Sequence, residues 1–237
     1  MTLRILDACC GVGGATRGYK LAIPDCHVTG VDIEPQPEYV GDAFVQGDAV
    51  EYVREHGHEY DFIHASWPCQ YSCALTKGTN KGRVYPNLIP AGRAAQRSTG
   101  RPWVIENVAG AEIRKDLRLC GDMFRRPDGS YELAVMRHRF FEFSAGLSVP
   151  QPRHPAPVRR VAGLRHGEWF TGPYFAVYGR GGGKGSVAQW RGAMGIDWTW
   201  ERRSIAEAIP PAYTRWIAGR VLVGVVGVQQ SLFEVAA

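Results

Sequence analysis

Short apolar runs recur along this chain and are separated by glycine turns and longer polar segments. Runs with the length and side chains of buried strands lie at residues 3–7, 27–31, 61–65 and 103–105. Helix-compatible sequence alternates with them, at 15–21, up to about residue 97, and at 212–223. This alternation predicts an α/β domain built on a doubly wound, mostly parallel sheet.

Polar residues follow the first predicted strands, at the sheet edge where such folds place their ligands. The glycine turn at 10–14 lets the backbone approach a ligand at the start of the first helix. Asp32 and Asp48 end the next two segments, and an acid at this distance from the turn suits a ribose. The turn lacks the dinucleotide fingerprint, which favours a phosphate-free nucleoside such as S-adenosylmethionine. An α/β turn with incidental acids is the alternative.

Cys69 and Glu106 stand at the carboxyl ends of two further predicted strands. Pro68 opens the loop that carries Cys69, and Glu106 follows the run at 103–105. We expect both side chains to face one crevice, because parallel strands end at the same edge of a sheet. A cysteine here is either a nucleophile or, as free cysteines usually are, a small buried hydrophobe.

Two later segments have contrasting patterns. Residues 72–93 are polar, long and poorly periodic, which is typical of a mobile lid. Residues 137–143 alternate basic and aromatic side chains, which predicts a half-buried strand with Arg137 and Arg139 on one side. A solvated strand face would give the same alternation.

Residues 144–186 differ in character from the rest of the chain. Prolines, basic residues, aromatics and a glycine run are interleaved, and Glu168 is the only acidic residue. This composition suits a phosphate backbone and unstacked bases, so we expect a short irregular recognition insertion. A loop-rich surface insertion without a ligand is the alternative.

Composition excludes few classes of protein. The net charge of +5 is compatible with a polyanionic partner without requiring one. We see no signal peptide, and the longest apolar run, at 221–228, is too short to span a bilayer. The six cysteines lack zinc-like Cys-x-x-Cys pairing, so we expect reduced thiols in a cytoplasm, no metal and no membrane contact.

Taken in order, the motifs of this chain resemble those of the cytosine-C5 DNA methyltransferases. The motifs are residues 7–14, Pro68-Cys69-Gln70, Glu106-Asn107-Val108, Arg137-His138-Arg139 and residues 206–211. The resemblance runs from residue 3 to about 223, without 144–186. It implies a Rossmann-like methyltransferase fold in a compact bacterial or phage-type member. The expected parts are a core at 1–143 and 187–225, a target-recognition insertion at 144–186 and a tail at 226–237.

The resemblance implies covalent methyl transfer to C5 of cytosine. Cys69 would attack C6 as a thiolate, helped by the positive charge of Arg139 and, less directly, of Arg137. Glu106 would hold and protonate N3. The cytosine would be flipped out, because C6 is inaccessible in stacked duplex DNA.

The resemblance also implies a set of cofactor contacts. The glycine turn would hold the methionine part of S-adenosylmethionine and Asp32 its ribose hydroxyls, while Ile33 would pack on the adenine and Asp48 bond its amino group. The implied cofactor residues are Asp7, Cys9, Gly11, Gly13, Gly14, Asp32, Ile33, Asp48, Pro68 and Glu207.

Several positions depart from the family pattern. Cys9 replaces a frequent aromatic residue, Val135 a glutamine and Glu207 an asparagine. Glu207 brings a carboxylate near the site, where it would pair with the ammonium group of the cofactor. The short insertion implies a short recognition sequence or relaxed specificity.

Nucleic acid is the expected partner, through polar and basic side chains of the lid and the insertion. These are Ser72, Lys77, Arg153, Arg159, Arg160, Arg165, Arg180 and Lys184. The C-terminal residues Gln229, Leu232 and Phe233 resemble a peptide that docks on the bacterial sliding clamp, although a tail folded back on the core is the alternative. We expect a monomer in the host cytoplasm, within a restriction–modification pair or as a solitary methylase.

Other functions stay open. The same chemistry on RNA, single-stranded DNA or a free cytosine nucleotide is compatible with the short insertion. A DNA-binding or cofactor-binding protein that has lost catalysis is a different class. The joint presence of Cys69, Glu106 and Arg139 argues against that class.

Overall fold

The computed structural model describes residues 2–72, 85–126, 128–155, 160–179 and 184–222. The strands of its central sheet are β1 Arg4–Ala8, β2 His27–Asp32, β3 Ala43–Gln46, β4 Phe62–Ala65, β5 Trp103–Asn107, β6 Leu117–Leu119 and β7 Arg139–Phe143. In the described chain these seven strands have the order β3-β2-β1-β4-β5-β7-β6. Strands β1 to β5 run parallel, and β7 is antiparallel to both neighbours. The predicted doubly wound, mostly parallel sheet is confirmed.

Helices alternate with the strands along the chain. They are α1 Gly14–Ala22, α2 Ala49–His56, α3 Ile89–Ser98, α4 Val187–Met194, α5 Arg202–Glu207 and α6 Pro211–Ile217, which continues into a π-helical turn at Ala218–Leu222. Asp48 caps α2 by accepting from the backbone of Val50 and Glu51. None of the helices in the described ranges is long and apolar enough to cross a membrane.

Both faces of the sheet are buried, which explains why its strands read as continuous apolar runs. Ile5 and Phe62 point into a core shared with Tyr19 of α1. Leu6 and Ile63, the next residues along the same strands, point into the opposite core beneath α2 and α3. The carboxyl ends of β1, β2, β4 and β5 therefore meet at one edge between two covered faces.

Strand β5 ends at Asn107, so Glu106 lies at the carboxyl end of this strand as predicted. Two other predicted boundaries were wrong. The arginine strand begins at Arg139, so Arg137 precedes it. The predicted lid at 72–93 overlaps α3, which starts at Ile89, and most of the remaining segment (73–84) lies outside the described residues.

The insertion is more ordered than the irregular segment that its composition predicted. Its strands β8 Val161–Arg165, β9 Glu168–Phe170 and β10 Tyr174–Phe175 form a small sheet in the order β10-β8-β9. The hairpin between β8 and β9 turns at His166 and Gly167, which both have positive φ, at 52° and 85°. Tyr174 and Val177 are buried, so part of the predicted insertion is packed.

Helix α1 lies very close to the segment around α6, and glycines permit this approach. A Cβ on Gly14 would lie 2.3 Å from the carbonyl oxygen of Ile209. A Cβ on Gly18 would lie 2.1 Å from the carbonyl oxygen of Pro211. The motif at 206–211 is thus placed against the start of α1 by backbone contact.

Gly14→Ala is expected to destabilise the protein by about 2 kcal/mol or more, because the added methyl group would overlap the Ile209 backbone. Gly192→Ala is the matched control, since a Cβ there meets nothing within 4 Å and α4 gains helix propensity of roughly 0.5–1 kcal/mol. Urea unfolding of the variants measures both effects. Equal stability of the two variants would contradict the packing role of Gly14.

Candidate active site

The loop that carries Cys69 is held from two sides. Trp67 is almost fully buried, and its indole N–H donates to Gln96 of α3 at 3.2 Å. The Asn107 side chain donates to the carbonyl oxygen of Trp67 at 2.8 Å. After Cys69 the chain turns tightly, with the Ser72 N–H donating to the Cys69 carbonyl oxygen at 2.9 Å. The loop that carries the partly exposed Cys69 is therefore held between the end of β4 and the end of β5.

Glu106 is a buried carboxyl paired with Arg139. Its Oε1 atom lies 2.8 Å from Arg139 Nε but accepts no hydrogen bond from the described residues. Burial raises the pKa of Glu106, while Arg139, Arg137 and a hydrogen bond from Ser66 oppose the rise. The result is a buried carboxyl, paired with Arg139, that can carry a proton closer to neutral pH.

Arg137 lies before strand β7 and not within it beside Arg139 as predicted. Its guanidinium is buried and donates to the carbonyl oxygens of Val177 at 2.8 Å and Ala206 at 2.6 Å. Burial, reinforced by Arg139, lowers the pKa of Arg137 to about 9, and a negative charge on Cys69 or Glu106 opposes this shift. Arg137 thus joins the insertion to α5 and adds positive potential near Cys69, whereas Arg139 contacts Glu106 directly.

A buried hydrogen-bonded chain that the sequence analysis missed reaches Glu106. The Tyr19 hydroxyl lies 2.9 Å from His64 Nδ1, and His64 Nε2 lies 3.2 Å from Ser66 Oγ. Burial lowers the pKa of His64 to about 3, so its imidazole is neutral. One of its ring nitrogens donates a hydrogen bond and the other accepts one. Ser66 then donates to Glu106. The sequence signal for this hydrogen-bonded chain was His64, a histidine inside an otherwise apolar strand.

One part of the glycine turn packs against the protein, and another part borders open space. Gly11 and Gly13 have φ of +50° and +87°. A Cβ on Gly13 would lie 3.1 Å from Tyr39, whereas a Cβ on Gly11 would meet nothing within 4 Å. The Cα side of Gly14 packs on the Ile209 backbone, and its predicted cofactor contact stays a prediction. The turn is therefore open to an approaching ligand at Gly11.

Asp32 and its neighbours border this open surface. The Asp32 carboxylate accepts from the backbone N–H of Gly11 and of Glu34, each at 3.0 Å. Ile33 is 69% exposed, which is unusual for a large apolar side chain and fits a flat apolar ligand. Asp48 is exposed and uses one oxygen, Oδ1, to cap α2. The geometry is compatible with the ribose and adenine roles implied for these residues.

Asp7 lies beneath the turn and is fully buried. Its Oδ2 accepts from the Thr16 backbone N–H at 3.1 Å and from the Thr16 hydroxyl at 2.6 Å. The Tyr39 hydroxyl lies 2.9 Å from that hydroxyl. Asp7 Oδ1 has no partner among the described residues, and burial raises the pKa of Asp7 to about 7.

The raised pKa of Asp7 predicts a pH-dependent stability. Between about pH 4 and 7 the unfolded chain has lost this proton while the folded chain retains it, so the free energy of unfolding falls as pH rises. The shift corresponds to a loss on the order of 4 kcal/mol. Asp7→Asn should remove this component, as measured by urea unfolding at pH 5 and pH 8. An identical pH dependence in the variant would contradict the assignment.

The remaining predicted cofactor residues have different surroundings. Cys9 has a left-handed φ of +56° at the start of the turn, and burial raises the pKa of its thiol. Pro68 is partly buried in the Cys69 loop. Glu207 forms an ion pair with Arg203 Nε at 2.9 Å, and Arg203 also faces Glu34 at 3.5 Å. An ammonium group at Glu207 would therefore share the carboxylate with Arg203.

The predicted nucleic-acid residues are exposed or partly exposed where they are described. Arg153 and Arg160 are exposed, Ser72 is partly buried, and Lys184 Nζ lies 3.8 Å from the Tyr178 ring centre. Large exposed aromatics share the insertion, with Trp169 at 49% and Phe170 at 44% exposure. Predicted contacts that lie outside the described residues are Lys77, Arg159, Arg180, the side chain of Arg165, and the tail residues Gln229, Leu232 and Phe233.

Comparisons with known proteins define the class of fold. No protein-family model and no curated protein matches the chain. The Entamoeba histolytica methyltransferase EhMeth superposes with a TM-score of 0.52 at 9% identity, over 94% of this chain and 99% of its own. The chain thus has the Rossmann-like fold that is also found in this methyltransferase.

A second methyltransferase matches only in part. The plantazolicin methyltransferase BpumL, solved with desmethylPZN analogs and SAH, gives TM-scores of 0.31 in two complexes, at 17% and 18% identity. The matched region covers 45% and 44% of this chain, which spans 39% and 38% of the BpumL chain.

Proposed function

We propose that this protein transfers a methyl group from S-adenosylmethionine to C5 of cytosine in DNA. The proposal rests on two neighbouring features: the Cys69 loop, which Asn107 of β5 holds through Trp67, and the buried pair of Glu106 and Arg139. A sulfur nucleophile, a carboxyl with a raised pKa and a fixed guanidinium are the groups that activation of a cytosine ring requires.

The proposed reaction begins at C6. The Cys69 thiolate forms a bond to C6, and the electron pair of the C5–C6 double bond moves into the ring while Glu106 supplies a proton at N3. C5 thereby becomes nucleophilic. C5 then takes the methyl group, and S-adenosylhomocysteine is the leaving group. A base removes the C5 proton, the bond from sulfur to C6 breaks, the C5–C6 double bond returns, and N3 gives its proton back to Glu106. Arg137 and Arg139 favour the thiolate by their charge.

The cofactor proposal rests on the edge of the sheet between β1 and β2. Gly11 leaves space for close approach, Asp32 is held at the turn, and the exposed Ile33 offers an apolar surface for an adenine. The unpartnered Asp7 Oδ1 adds a buried acceptor beneath the same turn. When bound, S-adenosylmethionine would supply the methyl group as an electrophile.

The insertion is the proposed nucleic-acid surface. Arg153 and Arg160 would contact phosphates, while Trp169 and Phe170 would stack on bases or line a groove. The exposed aromatics specifically favour one alternative, in which the same chemistry acts on single-stranded DNA or on RNA. Docking on the bacterial sliding clamp through Gln229, Leu232 and Phe233 stays a prediction.

A substrate panel tests the proposal. The protein is incubated with methyl-labelled S-adenosylmethionine and, separately, duplex DNA, single-stranded DNA, tRNA and dCMP, and the nucleosides are analysed by mass spectrometry. We expect 5-methylcytosine in duplex DNA. If only single-stranded DNA, tRNA or dCMP is labelled, the alternative substrate is supported instead of duplex DNA. Binding of the cofactor without transfer to any acceptor would contradict the enzymatic proposal.

A further inference from the structure

A cluster of possible metal ligands lies outside the site described above. The ligand atoms of Cys120, His138 and His154 are all within 4.8 Å of one another. Cys120 follows β6, His138 immediately precedes β7, and His154 belongs to the insertion. Three distant parts of the chain thus converge on one point, which the spacing of the cysteines alone did not indicate.

Asp122 provides an independent indication that this cluster holds a ligand. Its side chain is only 1% exposed, and its carboxylate accepts from the Cys120 thiol but from no N–H or O–H group of the described residues. Its Oδ1 lies 3.5 Å from His154 Nε2, so the carboxylate faces the cluster. A buried carboxylate with only a weak thiol donor is costly unless a cation compensates its charge.

The two imidazoles are arranged as neighbouring ligands of one ion. Their Nε2 atoms lie 3.1 Å apart, and the rings stack with an interplanar angle of 6°. Two nitrogens bound to a tetrahedral zinc ion are about 3.3 Å apart. His154 Nδ1 lies 2.8 Å from the Pro155 carbonyl oxygen, so it carries the proton and leaves a lone pair on Nε2. A hydrogen bond between the rings would explain their contact but would leave Asp122 uncompensated.

The sulfur of Cys120 is prepared for the same role. It accepts the backbone N–H of Met123 in the short helical turn Gly121–Met123. Such N–H donors stabilise a thiolate, and a bound metal displaces the thiol proton to solvent. His138 is exposed, which gives an ion a route to the otherwise buried cluster.

We propose that Cys120, His138 and His154 bind a zinc ion, with the buried carboxylate of Asp122 beside His154 balancing its charge. One sulfur and two imidazole nitrogens match the ligand preference of zinc. The ion fastens the insertion to the core and fixes the residue next to Arg139. This proposal departs from the sequence-based expectation that the chain binds no metal.

Zinc content tests the proposal without any measurement of activity. The full chain is incubated with zinc chloride and dialysed, and bound zinc is measured by inductively coupled plasma mass spectrometry. The expected result is one zinc per chain in the parent and in Cys26→Ser, a buried cysteine elsewhere, with near-complete loss in Cys120→Ser. His138→Ala alters an exposed side chain, so it serves if Cys120→Ser does not fold, and it should weaken zinc affinity at least about tenfold.

Cobalt substitution reports the identity of the ligands. Bound cobalt should give the absorption of a tetrahedral site together with a thiolate charge-transfer band, and this band should vanish in Cys120→Ser. Failure of the parent to retain zinc, or equal retention by the parent, Cys120→Ser and His138→Ala, would overturn the proposal.

Discussion

Replacement of Cys69 with alanine should abolish methyl transfer and leave the fold and the cofactor affinity unchanged. The expected loss in kcat is at least about a thousandfold, because Cys69 supplies the sulfur that forms the bond to C6 in the proposed reaction. Trp67 and Asn107 hold the loop through contacts that do not involve the thiol, so the variant should remain folded. Transfer of labelled methyl groups, calorimetric cofactor binding and thermal unfolding measure the three properties.

Cys26→Ala is the control for this experiment. Cys26 is buried beside the start of β2, remote from the carboxyl ends of the strands, and its replacement should leave kcat unchanged. If Cys69→Ala were as active as this control, Cys69 would not be the nucleophile of the proposed reaction.

Replacement of Glu106 with glutamine should lower kcat by roughly a hundredfold or more while cofactor affinity is retained. Glutamine preserves the shape of the side chain but cannot supply a proton at N3. Burial raises the pKa of Glu106, so activity of the parent should fall as pH rises through that pKa and the proton is lost. The variant should lack this limb of the pH–rate profile, which steady-state kinetics across pH would measure.

Glu112→Gln is the matched control for Glu106→Gln, because Glu112 is an exposed carboxylate on the segment after β5. Its replacement should leave both kcat and the pH profile unchanged. A Glu106→Gln variant with the parental pH profile would show that the Glu106 proton has no role at N3.

Most of the central sheet was predictable because β1, β2, β4 and β5 are covered on both faces. Their runs at 3–7, 27–31, 61–65 and 103–105 could be predicted from local hydrophobicity and from the polar residues that end them. The parallel direction of β4 and β5 likewise supports the expectation that Cys69 and Glu106 lie at one edge of the sheet.

Other parts of the site depend on contacts between residues far apart in sequence. The chain of Tyr19, His64 and Ser66 to Glu106 crosses from α1 to β5, and no local pattern encodes it. Gly14 follows the rule for a ligand-binding turn, yet its neighbour is the Ile209 backbone. Arg137 resembles Arg139 in sequence, but tertiary carbonyl groups bind its guanidinium.

The insertion illustrates a limit of compositional arguments. Its prolines and glycines predicted an irregular segment, but two positive-φ residues, His166 and Gly167, make a tight hairpin. The zinc proposal has a similar origin, since Cys120 and His154 converge only because β6, β7 and the insertion are adjacent in space.

Covalent trapping tests whether Cys69 forms the bond to C6. A duplex that contains 5-fluorocytosine is incubated with the protein and S-adenosylmethionine, and the digested complex is mapped by mass spectrometry. A base cannot remove the fluorine from C5 as it removes a proton, so the bond between Cys69 and C6 should persist after methylation. We predict one modified peptide, which carries Cys69 joined to a methylated fluorocytosine. Turnover on ordinary cytosine without this adduct, or an adduct at another cysteine, would contradict this prediction.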